Sequence, residues 1–301
     1  MYGVARLSFP DWKRYSHFTF PYFQPWLEAR DDELVAVGAQ IVGQPVGLLL
    51  ARMSAEDSRA GEIHSLFVSA PRRRRGMATR MLAEAECELR RRGAIGVAIT
   101  YMDGGSSTPA LEALLDKLGW EPPQPRMLIC QSDFETIAKA PWMARREFPA
   151  GFEVFQWVDL TAAERAEILE RQSRERWFPE LLTPFWKEHL IEPASSLGLR
   201  YRGEIVGWCI SHRVDRETIR FARLFVRRDL QATGRAVTLL AQSIYRHENT
   251  EVRKAIFDVA AQNETMLRFV QRRLAPWMIS MRTIQRRVRR FEASLARETH
   301  A

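Results

Sequence analysis

Apolar and polar positions in the first half of the chain follow the spacings of both strands and helices. Residues 34–53 form two apolar runs around Gly43-Gln44, which is the pattern of a β-hairpin. Residues 77–93 place apolar side chains three and four positions apart and end at a glycine after three arginines, as helices do. The same reasoning predicts a partly helical segment at 17–32, strands at 62–68, 94–101 and 126–131, and a helix at 107–119.

The second half repeats this order of elements. Its patterns predict strands at 152–158, 218–226, 254–260 and 277–284, a hairpin across Arg202-Gly203, and helices at 160–177, 234–247 and 264–274. Each half is therefore expected to run β, helix, β, β, β, helix, β, helix, β, which places the chain in the α/β class. The final residues, VRRFEASLARETHA, are expected to be a short helix or disordered.

An internal repeat explains why the two halves match. LFVSAPRRRRGMATRML (66–82) aligns with LFVRRDLQATGRAVTLL (224–240) at a constant offset of 158 residues, and 44–53 aligns with 204–213. Such a period is too long for a solenoid and indicates a duplicated domain. We expect the division 1–133 for the first domain, 134–150 for a linker, 151–291 for the second domain and 292–301 for a tail.

Composition and charge narrow the class of protein. The 301 residues include no stretch of about 18 apolar residues, and the N-terminus lacks the apolar core of a signal peptide. Three widely spaced cysteines argue against a disulfide framework and against a zinc site. We therefore expect a cytoplasmic protein with no metal and no membrane partner. The net charge of +8 fits an anionic partner, although a GC-rich genome would also favour arginine over lysine.

The repeated segment has the features of a diphosphate-binding turn. In both copies a strand ending in LFV leads through R/Q-x-x-G-x-A into a helix. The first N–H groups of a helix lack partners and carry partial positive charge, so they can bind a diphosphate if Gly76 or Gly234 lets the backbone approach it. A plain strand-to-helix connection would explain one copy, but two copies with the same spacing favour an anion site.

These two segments resemble motif A of the GCN5-related N-acetyltransferases. The resemblance covers nearly the whole chain twice. It implies an α/β fold of two tandem GNAT (acyl-CoA N-acyltransferase) domains, each with a mixed, mostly antiparallel sheet that has a V-shaped splay and is flanked by helices. It implies acetyl-CoA as the cofactor, with its acyl group where strands 62–68 and 94–101 separate.

The resemblance also implies which residues hold the cofactor. The strand ends would pair their backbone with the pantetheine arm, namely Leu66, Phe67 and Val68 in the first copy and Leu224, Phe225 and Val226 in the second. The diphosphate would lie on Arg73, Arg74, Arg75, Gly76, Met77, Ala78 and Thr79, or on Gln231, Ala232, Thr233, Gly234, Arg235, Ala236 and Val237. Asn263 follows a strand where many relatives have an asparagine that bonds the cofactor.

Amine acetylation needs a base for the amine and an acid for the leaving thiolate. Glu62 begins the strand before the first turn, where several family members have a glutamate base, although a solvated strand end is the alternative. Strand alternation would put Glu62, His64 and Leu66 on one face. His64 either relays a proton or belongs to the core. The family's tyrosine acid is replaced by Leu115, so Tyr101 or solvent is the candidate acid.

The second copy departs further from the family pattern. Arg220 stands where the first copy has Glu62, and Gln271 stands near the tyrosine position. Asp258 is its best carboxylate, as a base or as a structural residue. We therefore expect catalysis in the first copy. Dense aromatic residues at 12–26 and 177–186 either line an acceptor pocket or form core.

The sequence favours an N-acetyltransferase that moves an acetyl group from acetyl-CoA to a primary amine of an unidentified acceptor. One alternative keeps the fold but uses aminoacyl-tRNA as the donor. Another is a non-enzymatic module that binds nucleic acid or a protein partner through the arginine clusters at 72–75, 90–92 and 286–290. These clusters are short and scattered, so we do not expect a nucleic-acid partner. The oligomeric state is left open.

Overall fold

The computed structural model describes residues 2–231 and 233–291. Twelve strands are described: Tyr2–Arg6 (β1), Val35–Ile41 (β2), Gln44–Met53 (β3), Ala60–Val68 (β4), Gly96–Met102 (β5), Gln124–Asp133 (β6), Phe152–Gln156 (β7), Leu197–Tyr201 (β8), Glu204–Arg213 (β9), Thr218–Val226 (β10), Lys254–Ala260 (β11) and Ser280–Arg290 (β12). The described α-helices are Met77–Arg91 (α1), Thr108–Lys117 (α2), Phe134–Ile137 (α3), Ala162–Glu175 (α4), Arg235–Tyr245 (α5) and Glu264–Phe269 (α6). None of these helices is long and apolar enough to cross a membrane.

Two compact units make up the described chain. Unit 1 holds the described residues up to Arg126 and from Thr283 onward, and unit 2 holds Met127–Arg282. The sheet of unit 1 has the order β1-β2-β3-β4-β5-β12, and its β4 and β5 are parallel while the other neighbours are antiparallel. The sheet of unit 2 has the order β6-β11-β10-β9-β8-β7, with β10 and β11 as its parallel pair.

Each unit takes its last strand from the other half of the sequence. The predicted strand at 126–131 is β6, which pairs with β11 of unit 2. The predicted strand at 277–284 extends further, as β12, and pairs with β5 of unit 1 from Ile284 to Arg290. The compact units therefore exchange these strands relative to the chain-order division at 133 and 151. The part of the tail beyond Phe291 lies outside the described residues.

The helix after each repeated turn forms the core with its sheet. One face of α1 is fully buried and packs on β2, β3 and β4 through Met81, Leu82 and Leu89. In unit 2, Leu239 of α5 packs on β8 and β9 in the same way. Burying a side chain of this size stabilises the fold by about 1.5–3 kcal/mol. These contacts fix the position of each turn against the end of its strand.

Two predicted helical segments differ in type from an α-helix. The segment at 17–32 contributes to two 3₁₀ segments, Asp11–Phe18 and Pro21–Leu27, because prolines such as Pro25 prevent a continuous α-helix. The predicted helix at 264–274 is α6 followed by a π-helical turn at Val270–Leu274.

Candidate active site

The turn after β4 leads into α1 and contains the first predicted anion site. The Arg73 side chain folds back, and its Nε donates a hydrogen bond to the Val68 carbonyl at 2.9 Å. Gly76 then has a φ of 76° and precedes α1, and no side chain in the described residues caps the helix. The first N–H groups of α1 are therefore available to an anion.

The turn after β10 repeats this arrangement with a different side chain. The Gln231 Nε2 donates to the Val226 carbonyl at 2.9 Å, which is the same contact that Arg73 makes. Gly234 has a φ of 84° and precedes α5. The side chains of arginine and glutamine are both long enough to bring an N–H group to this carbonyl. The R/Q position therefore shapes the turn in both copies.

The backbone conformation favours glycine at both turns. Positive φ values are readily adopted by glycine and cost free energy for most other residues. A Cβ atom placed on Gly76 or Gly234 would meet no described atom within 4 Å. The space in front of each turn is therefore open, and a ligand can approach the backbone there.

The other predicted cofactor residues surround these turns with different degrees of exposure. Arg74 and Arg75 are exposed, and Met77 is buried beneath the start of α1. Phe67 is exposed, whereas Phe225 is buried among aromatic side chains. The residues on the first turns of the two helices are half-buried, namely Ala78, Thr79, Arg235, Ala236 and Val237. Thr233 is exposed and donates its hydroxyl to the Leu230 carbonyl. Ala232 lies outside the described residues.

A gap opens in each sheet between its two parallel strands. β4 and β5 pair only along Ala60–Ile63 and Gly96–Ile99. β10 and β11 pair only along Thr218–Arg220 and Lys254–Ile256. Beyond these residues the ladder of hydrogen bonds between them ends, and each unit has the V-shaped splay expected from the sequence.

A β-bulge lies at the same place in both copies. In the pairing with the preceding strand, His64 of β4 and Ala222 of β10 have no partner residue. These two residues are 158 positions apart, which is the offset of the repeat. An extra residue shifts the alternation of side chains between the two faces of a strand. Leu66 consequently packs in the core with α1, so the prediction that it shares a face with Glu62 and His64 is wrong.

Glu62 and His64 line an open cleft of unit 1 together with Arg52 and Trp26. The Trp26 ring lies 5.0 Å from the His64 ring, and the Arg52 guanidinium lies 3.8 Å from the Trp26 ring centre. Burial lowers the pKa of His64, the Glu62 carboxylate opposes this, and Arg52 lowers the pKa further. His64 is therefore mainly neutral at pH 7, and the cleft brings together a carboxylate and a neutral imidazole.

Tyr101, the other predicted catalytic residue, lies on β5 and donates its hydroxyl to Glu112 of α2 at 3.0 Å. Burial together with this hydrogen bond and the charge of Glu112 raises the pKa of Tyr101 to about 12. Such a phenol gives up its proton less readily than an ordinary tyrosine. Its role as an acid remains a prediction. Leu115, at the family's tyrosine position, is fully buried.

A largely apolar cavity of about 470 Å³ occupies the gap between β10 and β11. Small-molecule sites typically enclose about 300–1,000 Å³. Both faces of β10 contribute to the lining, because Leu224 packs on the side of α5 while Arg223 lies over the Trp186 ring. The cavity therefore extends through the splay of unit 2.

Charged and polar side chains meet at this cavity. Arg220, at the position of Glu62 in the other copy, forms an ion pair with Asp258. The side-chain oxygen of Asn263 accepts a hydrogen bond from the Met266 N–H at 3.1 Å and caps α6. Asp258 is thus held by an arginine in this structure.

Sequence reasoning missed Arg223. It aligns with Ser65 of the first copy, so the repeat gives no sign of a shared role. It reaches the cavity because it follows the bulge at Ala222, and a bulge has no clear sequence signal here.

Two of the three arginine clusters are engaged within unit 1. Arg287 and Arg289 form ion pairs with acidic side chains of α2 and α1. Arg91 and Arg92 both pair with Glu88. These contacts give the clusters a structural role in their own unit.

Comparisons with known proteins agree with this architecture. A model of the acetyltransferase (GNAT) family matches residues 1–120 and 162–275. Among curated proteins, none matches the chain significantly.

Several solved structures are similar across the whole chain. A tandem GNAT protein from the clavulanic acid biosynthesis pathway is 16% identical, with 98% of this chain and 100% of that chain covered and a TM-score of 0.58. A GCN5-related N-acetyltransferase from Sphaerobacter thermophilus is 18% identical, with 98% of each chain covered and a TM-score of 0.57. At these identities the likeness establishes the fold. Together with the family match over both halves, it identifies the chain as a tandem member of the GNAT acetyltransferase family, whose general chemistry is acyl transfer.

Proposed function

We propose that this protein transfers an acetyl group from acetyl-CoA to a primary amine. The observation that carries the proposal is the pair of turns at Gly76 and Gly234, each beside a splayed sheet. Both present uncapped N–H groups of a helix to open space, within the residues described. That geometry suits the diphosphate of a nucleotide thioester.

The cavity of unit 2 supports a place for the pantetheine arm and the acyl group. Leu224 lines it, and two residues later β10 ends at Val226, where Gln231 shapes the turn. A thioester whose diphosphate lies on the turn would therefore run along β10 into the splay. The corresponding path in unit 1 runs along β4, with Arg74 and Arg75 exposed beside its turn.

Glu62 is the proposed base, and we place the transfer step in unit 1. The nitrogen of a neutral amine attacks the thioester carbonyl carbon, so a C–N bond forms and the C–S bond breaks. Glu62 takes a proton from the nitrogen, and the leaving thiolate takes one from Tyr101 or from water. His64, lying in the same cleft as Glu62, could pass the proton on to solvent.

A thiol-release assay on the full chain tests this proposal. The assay uses acetyl-CoA with a panel of small amines, an aminoglycoside, an amino sugar, a peptide N-terminus and a lysine peptide. We expect thiol release that depends on at least one amine, with an acetylated product identified by mass spectrometry. No release with any amine, together with no binding of acetyl-CoA at millimolar concentration, would contradict it. Transfer from aminoacyl-tRNA in that case would favour the alternative donor.

A further inference from the structure

Arg223 occupies an unusual place in the unit 2 cavity. It follows the bulge in β10 and therefore lies on the same side as Arg220, over the ring of Trp186 at 4.6 Å. The Nη1 donates to the neighbouring Ala222 carbonyl at 2.7 Å. Its Nε is buried and has no hydrogen-bond partner among the described residues. The guanidinium thus keeps donor capacity that the described protein does not use.

The charges around Arg223 leave it without a carboxylate of its own. Asp258 forms its ion pair with Arg220, and the ion pairs found in the described chain do not include Arg223. Burial lowers the pKa of Arg223. The negative charge of Asp258 raises this pKa, and the positive charge of Arg220 lowers it further. A cation that is partly removed from water without an anion beside it is costly, so an anionic ligand would be favourable at this point.

The rest of the cavity restricts which anion fits. Its lining contains four basic and two acidic side chains, and most of the remainder is apolar. A guanidinium can bind a carboxylate with two parallel hydrogen bonds, and the Arg223 guanidinium lies 4.6 Å from the centre of the Trp186 ring. A short apolar group that ends in a carboxylate matches both the charge and the apolar walls.

We propose that the unit 2 cavity selects a substrate with a carboxylate, which Arg223 binds. The inference rests on the proposed function, because it assigns a substrate class to the cavity of the acyl transferase. The carboxylate can belong to the acyl group of a dicarboxylic thioester or to an amino acid that binds beside the thioester. Both sources present the same group to the same guanidinium.

Titration calorimetry on the full chain tests the donor source. Succinyl-CoA and butyryl-CoA have acyl groups of the same length and differ in the terminal carboxylate. If the donor carries the carboxylate, the wild type binds succinyl-CoA at least tenfold more tightly, and Arg223→Gln removes that preference. Arg253→Gln is the matched control, because Arg253 also lines the cavity but is exposed at its edge.

The amino-acid source is tested by calorimetry on the full chain with CoA bound, with glycine and glycinamide as ligands, so that the readout is binding and not the transfer step of unit 1. If the amino acid carries the carboxylate, the dissociation constant of glycine is at least tenfold lower than that of glycinamide, and Arg223→Gln equalises the two. A preference in either experiment that depends on Arg223 supports the inference. Binding of acetyl-CoA without either preference, or a preference that survives Arg223→Gln, overturns it and leaves the proposed function intact. Failure of every thioester to bind overturns both.

A melting experiment separates ligand binding from a structural role. Arg223→Met removes a half-buried cation that lacks a carboxylate partner and keeps an apolar stem over Trp186. We expect the melting temperature of this variant to equal or exceed that of the wild type while the carboxylate preference is lost. A fall of the melting temperature together with the preference would assign Arg223 to the fold and contradict the inference.

Discussion

Replacing Arg287 by alanine is expected to lower the free energy of unfolding by about 3 kcal/mol. Arg287 is 2% exposed and lies on β12. It donates to the Asp116 carboxylate at 2.6 Å and to the carbonyls of Glu121 and Trp120 at 2.7 and 3.1 Å. Asp116 lies in the last turn of α2, and Trp120 and Glu121 follow that helix. The Arg287 side chain therefore connects β12 to α2 of unit 1. Its loss leaves buried carbonyls without donors.

Chemical denaturation followed by tryptophan fluorescence measures this effect. The matched control is Arg290→Ala, which removes the same charge from the same strand. Arg290 is 86% exposed and pairs with Glu121, and exposed pairs contribute at most about 1 kcal/mol. Equal stabilities of the two variants would show that Arg287 does not hold β12 in unit 1.

The second large effect is expected at Glu62. Glu62→Gln should lower turnover by about 10²-fold or more, since the amide cannot accept the proton of the amine. The affinity for acetyl-CoA should stay within about twofold, because Glu62 is not part of the turn at Gly76. Steady-state kinetics with the best amine, together with calorimetry for the donor, measures both quantities.

The same variant has an independent readout at His64. The Glu62 carboxylate raises the pKa of His64 against the effect of burial, so its removal should lower that pKa further, as measured by NMR. Glu33→Gln is the control, because Glu33 lines the same cleft but is exposed. Unchanged turnover in Glu62→Gln would remove Glu62 from the mechanism.

Much of the fold follows from sequence because it depends on local periodicity and on the repeat. The strands at 218–226 and 254–260 and the helix α1 were predictable from apolar spacing. The exchange of β6 and β12 was not, since the side-chain pattern of a strand does not say which of two similar sheets it joins. The buried Arg287 that fixes β12 also reads in sequence as part of a solvated basic cluster.

The site was predictable only where its geometry is carried by the backbone. The glycine at φ of 76° and the R/Q side chain leave a fixed spacing in the sequence. The bulge at His64 and at Ala222 leaves none, because any residue can occupy it. The structure was therefore needed to show on which face of its strand Leu66 or Arg223 lies.

Binding of CoA to variants of the two glycine turns tests the central claim most directly. Asparagine and aspartate both tolerate a positive φ, and both turns have room for a side chain, so the two substitutions differ mainly in charge. Calorimetry should show Gly76→Asp or Gly234→Asp binding CoA at least tenfold more weakly than the matching asparagine variant, in whichever copies hold the diphosphate. Equal affinities of the aspartate and asparagine variants at both turns would contradict the claim that these turns bind it.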